Sequence, residues 1–158
     1  MKWMIFALMA VAVAFGAQHS RAHGEGHAHS VSNPDDPIAV RMYLMENVGA
    51  NAKALKGKLD AGKIKDAALN AQAIALHATQ IPALFPEGSA PETSRALPEI
   101  WQKWDDFVKS SHALRDAAEA LGHAAAEDKG DEAKAKLGEM FGTCKGCHDS
   151  FRKPEEKS

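Results

Sequence analysis

Four long segments of the chain repeat apolar residues at steps of three and four, and this period constrains the fold more than any other feature. Such a stripe is typical of an amphipathic α-helix that packs on a core. No segment alternates apolar and polar residues as a half-buried strand does. The pattern predicts four helices, over about residues 35–60, 64–81, 98–128 and 131–152. Their predicted inner faces are Ile38, Met42, Met45, Gly49, Ala52, Leu55 and Leu59; Ile64, Ala67, Ala71, Ile74, Ala78 and Ile81; Ile100, Trp104, Phe107, Ser111, Leu114, Ala118 and Leu121; and Leu137, Met140, Phe141, Cys144, Cys147, His148 and Phe151.

Polar caps, glycine and proline mark where these helices begin and end. Asp35 or Asp36 can cap the first helix, and Gly62 can end it. Residues 82–98 hold four of the seven prolines, so this segment is a long connection rather than a helix. Four amphipathic helices with one long connection predict an all-α fold, an antiparallel four-helix bundle.

Residues 1–22 have the composition of a secretory signal peptide. Lys2 gives a basic start, an apolar run follows as far as Phe15, and Ala22 is a small residue at which cleavage can occur. The run is too short to cross a bilayer, which takes about 20 apolar residues. An uncleaved anchor is the alternative. The signal predicts export to the bacterial periplasm.

The rest of the chain divides into an arm, one domain and a tail. Residues 23–36 contain Gly, His, Ser, Asn and Pro with almost nothing apolar, which predicts a flexible arm. Residues 37–153 are predicted to form the bundle, and 154–158 a short tail. Loss of Lys2 and Arg21 with the signal reduces 19 basic residues to 17, against 21 acidic ones. This acidic balance excludes nucleic acid as a partner, because binding phosphates takes a basic surface. No membrane contact is predicted once the signal is removed.

The run Cys144-Lys145-Gly146-Cys147-His148 predicts covalent attachment of a c-type haem. On a helix, Cys144, Cys147 and His148 emerge from one face within about one turn. Two thiols can then add to the two vinyl groups on one side of the porphyrin, while the imidazole reaches the iron as proximal ligand. A dithiol redox pair, half of a zinc site and a structural disulfide are the alternatives. They fit less well, since a redox pair should open a helix and zinc takes four ligands.

With this motif near its C-terminus, the chain resembles the class II cytochromes c, a family of four-helix bundles that contains cytochrome c′ and the low-spin c-556 type. The resemblance covers about residues 35–153 and is closest in pattern to the methionine-ligated c-556 type. It implies an all-α bundle with one covalent haem c. The segments that carry it are 41–49, 84–86, 100–107 and 144–152.

The resemblance also implies roles for residues around the haem. Met45 occupies the position that supplies the sixth iron ligand in the low-spin members, with a core methionine as the alternative. Met42, three residues earlier, is a second candidate for this ligand. Arg152 would lie over the proximal face of the histidine and Arg41 would reach a haem propionate, with a solvated surface charge as the alternative for each.

A haem held by histidine and methionine has a raised reduction potential and little room for other ligands. The predicted function is therefore electron transfer with periplasmic redox partner proteins. If Met45 does not bind, the resemblance implies a five-coordinate haem that binds NO or CO, as cytochrome c′ does. It also implies a homodimer through the first two helices. No acid–base dyad, activated nucleophile or phosphate loop is evident, so no enzyme is predicted.

Two further groups of residues have more than one interpretation. His23, His27 and His29 on the arm can bind copper, nickel or zinc, which would make the chain a periplasmic metal-binding module. A polar leader without a metal is the alternative. Trp101 and Trp104 are expected in the core, with contact at the haem edge as the alternative.

Overall fold

A computed structural model describes residues 33–92 and 94–154. Within this part the chain is helical and contains no strand longer than an isolated bridge. The predicted signal, the histidines of the arm and most of the tail lie outside the described residues. The helices are α1 (Pro37–Asp60), α2 (Ile64–Gln80), a short 3-10 turn (Pro82–Leu84), α3 (Glu99–Gln102), α4 (Trp104–Ala126) and α5 (Gly130–Phe151).

The ends of α1 follow the sequence prediction closely. The Asp36 carboxylate accepts a hydrogen bond of 2.9 Å from the amide of Ile38, and Pro37 occupies the first turn, where its missing amide hydrogen does no harm. Gly62 follows the helix with φ +72°. The amide of Lys63 then donates to the carbonyl oxygen of Lys58 over 2.9 Å. This closing pattern favours glycine because a side chain is strained at positive φ.

The four long helices pack in sequence around the bundle, but the ring is not evenly closed. Helix α1 packs on α2, α2 on α4, and α4 on α5, whereas α1 and α5 contact each other only sparsely. The α2–α4 contact is the most extensive one, and the buried side chains that α2 brings to the core are mostly alanines. Across this contact the hydroxyl of Ser111 donates a buried hydrogen bond of 2.6 Å to the carbonyl oxygen of Ala78.

The inner face of α1 is rotated from its predicted position in the first half of the helix. Arg41, Leu44 and Val48 are buried there, together with the predicted Ala52, Leu55 and Leu59. The prediction was wrong for Met42, which is 60% exposed, and for Gly49, which is exposed. A count of apolar residues alone misplaces the face because a charged residue, Arg41, belongs to it.

The predicted third helix is interrupted near its start. Lys103 has φ −125° and ψ 48°, which separates α3 from α4. The indole N–H of Trp101, on α3, donates to the carbonyl oxygens of Phe85 and Pro86 over 3.0 and 3.1 Å, so α3 is held to the connection. Trp104 is exposed, contrary to the prediction of a core position.

Phe141 was also predicted on an inner face, that of α5, and it too is exposed. Its neighbour Met140 is fully buried and, with Leu137 and Phe151, forms the buried face of that helix. Of the helices in the described part of the chain, none has the length and apolar character needed to cross a membrane.

Candidate functional site

The last two turns of α5 carry the predicted attachment residues together. Cys144, Cys147 and His148 lie on one helix at the predicted spacing, and each is half-buried. Both cysteines pack against the hydrophobic core, and neither forms a disulfide. The structural disulfide that the sequence left open is therefore not present.

The surroundings of these three side chains favour the uncharged form of each. Burial, followed by the charge of Cys144, raises the pKa of the Cys147 thiol to about 11, against the opposing charge of Arg152. Burial also raises the pKa of Cys144. For His148, burial is the largest cause of a lowered pKa, and the charges of Arg152 and Arg95 lower it further. A neutral imidazole has a free lone pair, which is the form that binds a metal.

These properties bear on two of the alternative interpretations of the motif, and they disfavour the dithiol redox pair. A dithiol redox site lowers the pKa of its attacking thiol, whereas here the pKa of both thiols is raised. A structural zinc site needs four ligands. Among the described residues, no group of three or more His, Cys, Asp or Glu side chains is placed to hold a metal ion.

The residues fit a covalently attached haem. Two neutral thiols on one face of a helix, packed against apolar side chains, would hold the porphyrin through Cys144 and Cys147, and His148 would bind the iron. The sparse contact between α1 and α5 leaves this side of the bundle without a tight helix pair. When bound, the haem supplies one-electron redox chemistry and an iron that takes an axial ligand.

Helix α1 contributes Met45 to the same region of the core. Its side chain is partly buried and packs against the core cluster that Cys144 and Cys147 also contact. Met42 points away from that core and is largely exposed, so of the two methionines Met45 is the better placed. Its role as an iron ligand stays a prediction.

Arg41 is placed differently from a surface charge. Its side chain is only 4% exposed, and its guanidinium carbon lies 4.6 Å from the centre of the Phe85 ring. The two terminal nitrogens donate to the Ser89 hydroxyl at 3.0 Å, the Ser89 carbonyl oxygen at 2.6 Å and the Ser94 hydroxyl at 2.8 Å. Burial lowers the pKa of Arg41, against the charge of Asp36. The solvated alternative is thus wrong for Arg41, and its contact with a propionate stays a prediction.

Arg152 ends α5 and lies close enough to His148 to affect its charge. The Arg152 side chain is exposed, and its backbone pairs with Ala96 in an isolated antiparallel bridge. The two serines that bind Arg41 were not predicted from sequence, because small polar residues in a connection carry no recognisable signal. Trp101 and Trp104, for which contact at the haem edge was the alternative to a core position, line a cleft of about 310 Å³ with Phe85 and Glu87.

Comparison with known proteins places this site in a family. Residues 36–152 match the family model described as Cytochrome C′. Cytochrome c′ of Pararhodospirillum photometricum is 38% identical over 77% of this chain and 99% of its own length. Cytochrome c-554 of Cereibacter sphaeroides is 34% identical over 75% of this chain and 88% of its own length. A solved cytochrome c′ whose dimer dissociates under ligand control is 26% identical and superposes with a TM-score of 0.70, covering 77% of this chain and 98% of its own.

These comparisons confirm the predicted family and fold and do not support the narrower prediction. The family model and most of the similar relatives are cytochromes c′, so the low-spin, methionine-ligated c-556 type gains no support from them. The helical bundle, the unpaired cysteines on its last helix and the match over 36–152 agree with one another. The chain belongs to the cytochrome c′ family and carries a single covalent haem c.

Proposed function

We propose that this protein binds a diatomic gas, such as NO or CO, at its haem iron on the side opposite His148. The match to cytochrome c′ carries this proposal, because the resemblance to that type implies an iron open to gas ligands. The inner face of α1 supports it. Leu44, Met45 and Val48 are apolar, and an apolar surface accepts a neutral diatomic molecule while offering no hydrogen bond to bound oxygen.

Electron transfer through a six-coordinate haem is the second candidate. The partly buried thioether of Met45 favours it, because a thioether that packs on the same core as Cys144 and Cys147 is a suitable donor to iron. Ligation by His148 and Met45 would raise the reduction potential and close the iron to gases. The partners would then be periplasmic redox proteins.

Visible spectra of the purified holoprotein, recorded oxidised, reduced and reduced under CO, separate the two candidates. The gas-binding proposal expects broad high-spin bands in the reduced protein and a clear shift on addition of CO. Sharp, split alpha and beta bands that CO leaves unchanged would overturn it in favour of the electron carrier.

A variant of Met45 sharpens this comparison. Met45→Leu keeps an apolar side chain of similar volume and removes the sulfur. If the iron is open, this variant keeps the high-spin spectrum and still binds CO. If Met45 is the ligand, the variant converts a low-spin spectrum to a high-spin one. Met42→Leu, at the exposed neighbouring methionine, is the control and changes neither spectrum.

The proposed site of action is the periplasm. The composition of residues 1–22 supports this location, since it combines a basic start with a short apolar run. Cell fractionation tests it, with the haem protein expected in the periplasmic fraction and shortened by the length of the signal. Full-length protein in the membrane fraction would support the uncleaved anchor instead.

We also propose that two copies pair through α1 and α2. Leu69 and Leu76, one heptad apart on α2, are 71% and 61% exposed, and Met42 on α1 is similarly exposed. Three large exposed apolar side chains on these two helices favour a contact with another protein surface. Sedimentation equilibrium of Leu69→Glu should give a monomer where the parent gives a dimer. Ala113→Glu, at an exposed position on α4, is the control and should leave the dimer intact.

A further inference from the structure

The three hydrogen bonds of Arg41 link α1 to a part of the chain far away in sequence. Ser89 and Ser94 lie 48 and 53 residues after Arg41, within the connection between α2 and α3. Burial of a guanidinium is costly unless its donors find acceptors, and this one has three acceptors from two serines. Arg41 is therefore fixed to the connection rather than free to move with the surface.

Ser94 continues the link towards the end of α5. Its hydroxyl, which accepts from Arg41, also accepts from the amide of Ala96 over 3.1 Å. Its carbonyl oxygen accepts from the Lys153 side chain over 3.0 Å. One residue thus bonds to α1 on one side and, on the other, to the segment that follows His148.

The segment 94–97 is joined to the end of α5 by backbone bonds as well. The amide of Leu97 donates to the carbonyl oxygen of Phe151 over 3.0 Å, and the amide of Lys153 donates to that of Arg95 over 2.8 Å. The Arg95 guanidinium donates to the Lys153 carbonyl oxygen over 2.9 Å. This pairing begins three residues after His148, so it fixes the end of the helix that carries the histidine.

We infer that Arg41 and Ser94 are positioning residues that set the place of α1, and with it Met45, relative to His148. The hydrogen bonds from Arg41 through Ser94 to Lys153 form what we call the tether. Met45 lies one helical turn after Arg41, and His148 lies one turn before Arg152, so the tether reaches both sides of the site. In the described part of the chain, no side-chain hydrogen bond joins α1 to α5 directly, and the two helices pack sparsely. The chain of bonds through Ser94 replaces that missing contact.

The expected effect of this tether on gas binding rests on the proposed gas site. Its expected effect on the positions of α1 and α5 does not. If α1 covers the iron, the mobility of α1 determines how easily its side chains move aside for an incoming gas ligand. Loss of the Ser94 hydroxyl removes one acceptor from Arg41 and the acceptor of the Ala96 amide. Both α1 and the segment after His148 should then loosen together.

Hydrogen exchange and CO binding of the holoprotein test the inference, with Ser94→Ala as the variant. Amides in residues 41–48 and at Ala96, Leu97 and Lys153 should exchange at least about fivefold faster, while those at the α2–α4 contact stay unchanged. CO affinity should rise about fivefold, the lower end of the usual coupling between sites. Ser94→Thr keeps the hydroxyl and should restore both the exchange rates and the CO affinity. If the effects of Ser94→Ala came only from a change in side-chain size, Ser94→Thr would not restore them.

Ser110→Ala is the matched control, because the Ser110 hydroxyl bonds only to the carbonyl oxygen of Asp106 within its own helix. It should change neither exchange nor CO affinity. Faster exchange in only one of the two segments, or in neither, overturns the tether. If the parent protein binds no CO, the proposed function fails, and the tether is then judged on the exchange pattern alone.

Discussion

The amide of Arg152 donates a hydrogen bond of 3.1 Å to the carbonyl oxygen of His148, and this bond ends α5 one turn after the predicted iron ligand. The helix geometry therefore keeps a cationic side chain near the imidazole. Arg152 is the second cause of the lowered pKa of His148, after burial, and Arg95 is the third. Burial and the two arginine charges favour a neutral ring, and they thereby favour metal binding, since only the neutral ring has a lone pair to donate.

Substitution of Arg152 should make the His148 site more sensitive to acid. Arg152→Gln removes a nearby positive charge, so protonation of the imidazole becomes less unfavourable and the pKa of His148 rises towards its ordinary value. Protonation of the imidazole competes with its binding to iron, so acid should displace His148 from the iron at a higher pH than in the parent protein. Because the side chain is exposed, the shift should be less than about one pH unit. The midpoint of the acid transition in the visible spectrum measures it.

Lys134→Gln is the control for this substitution. Lys134 is an exposed cation on the same helix, and it is not among the causes of the shift at His148. Its acid midpoint should match that of the parent. An equal shift in both variants would mean that net charge, rather than the position of Arg152, controls the histidine.

Cys147 should react slowly with alkylating reagents before haem attachment. Its pKa of about 11 leaves very little thiolate at neutral pH, and the thiolate is the reactive form. In apoprotein that carries Cys144→Ala, the rate of reaction with iodoacetamide should increase about tenfold for each pH unit between 7 and 10. A rate that levels off below pH 9 would contradict the raised pKa. The substitution also removes the charge of Cys144, which leaves burial as the main cause of the shift.

The adjacent serines Ser111 and Ser110 are predicted to contribute differently to stability, with the larger contribution from Ser111. The Ser111 hydroxyl is buried and bonds to Ala78 on another helix, so Ser111→Ala leaves a carbonyl oxygen without that donor and should lower the free energy of unfolding by about 1–2 kcal/mol. The Ser110 hydroxyl bonds within its own helix, and Ser110→Ala should change this free energy by less than about 0.5 kcal/mol. Denaturant titrations of both variants give the comparison, and equal losses would contradict it.

Local signals in the sequence explain which features of the fold could be predicted. Helix boundaries depend on nearby residues, so Asp36 and Gly62 were recognisable as the ends of α1. The attachment motif is likewise local, because Cys144, Cys147 and His148 lie within five residues of one another. Their neutral state depends on burial by the rest of the bundle, which spacing alone does not reveal.

The features that were missed depend on contacts between distant segments. A charged residue belongs on an inner face only if acceptors are present, and for Arg41 they come from Ser89 and Ser94. The interruption at Lys103 accompanies the anchoring of Trp101 to the connection, again a contact outside the helix. Neither the apolar period nor helix propensity contains this information.

Two glycines on either side of the end of α1 should respond in opposite directions to the same substitution. A Cβ atom added at Gly62 or at Gly57 would meet no other atom within 4 Å, so neither change introduces a clash. Gly62 has φ +72°, where a side chain is strained, and Gly62→Ala should lower the free energy of unfolding by about 1 kcal/mol. Gly57 lies inside the helix, and Gly57→Ala should raise this free energy by about 0.5–1 kcal/mol, because alanine loses less backbone entropy on folding. Thermal unfolding of the two variants tests the sign of each effect, and a loss of stability in both would show that packing, rather than backbone conformation, controls this end of α1.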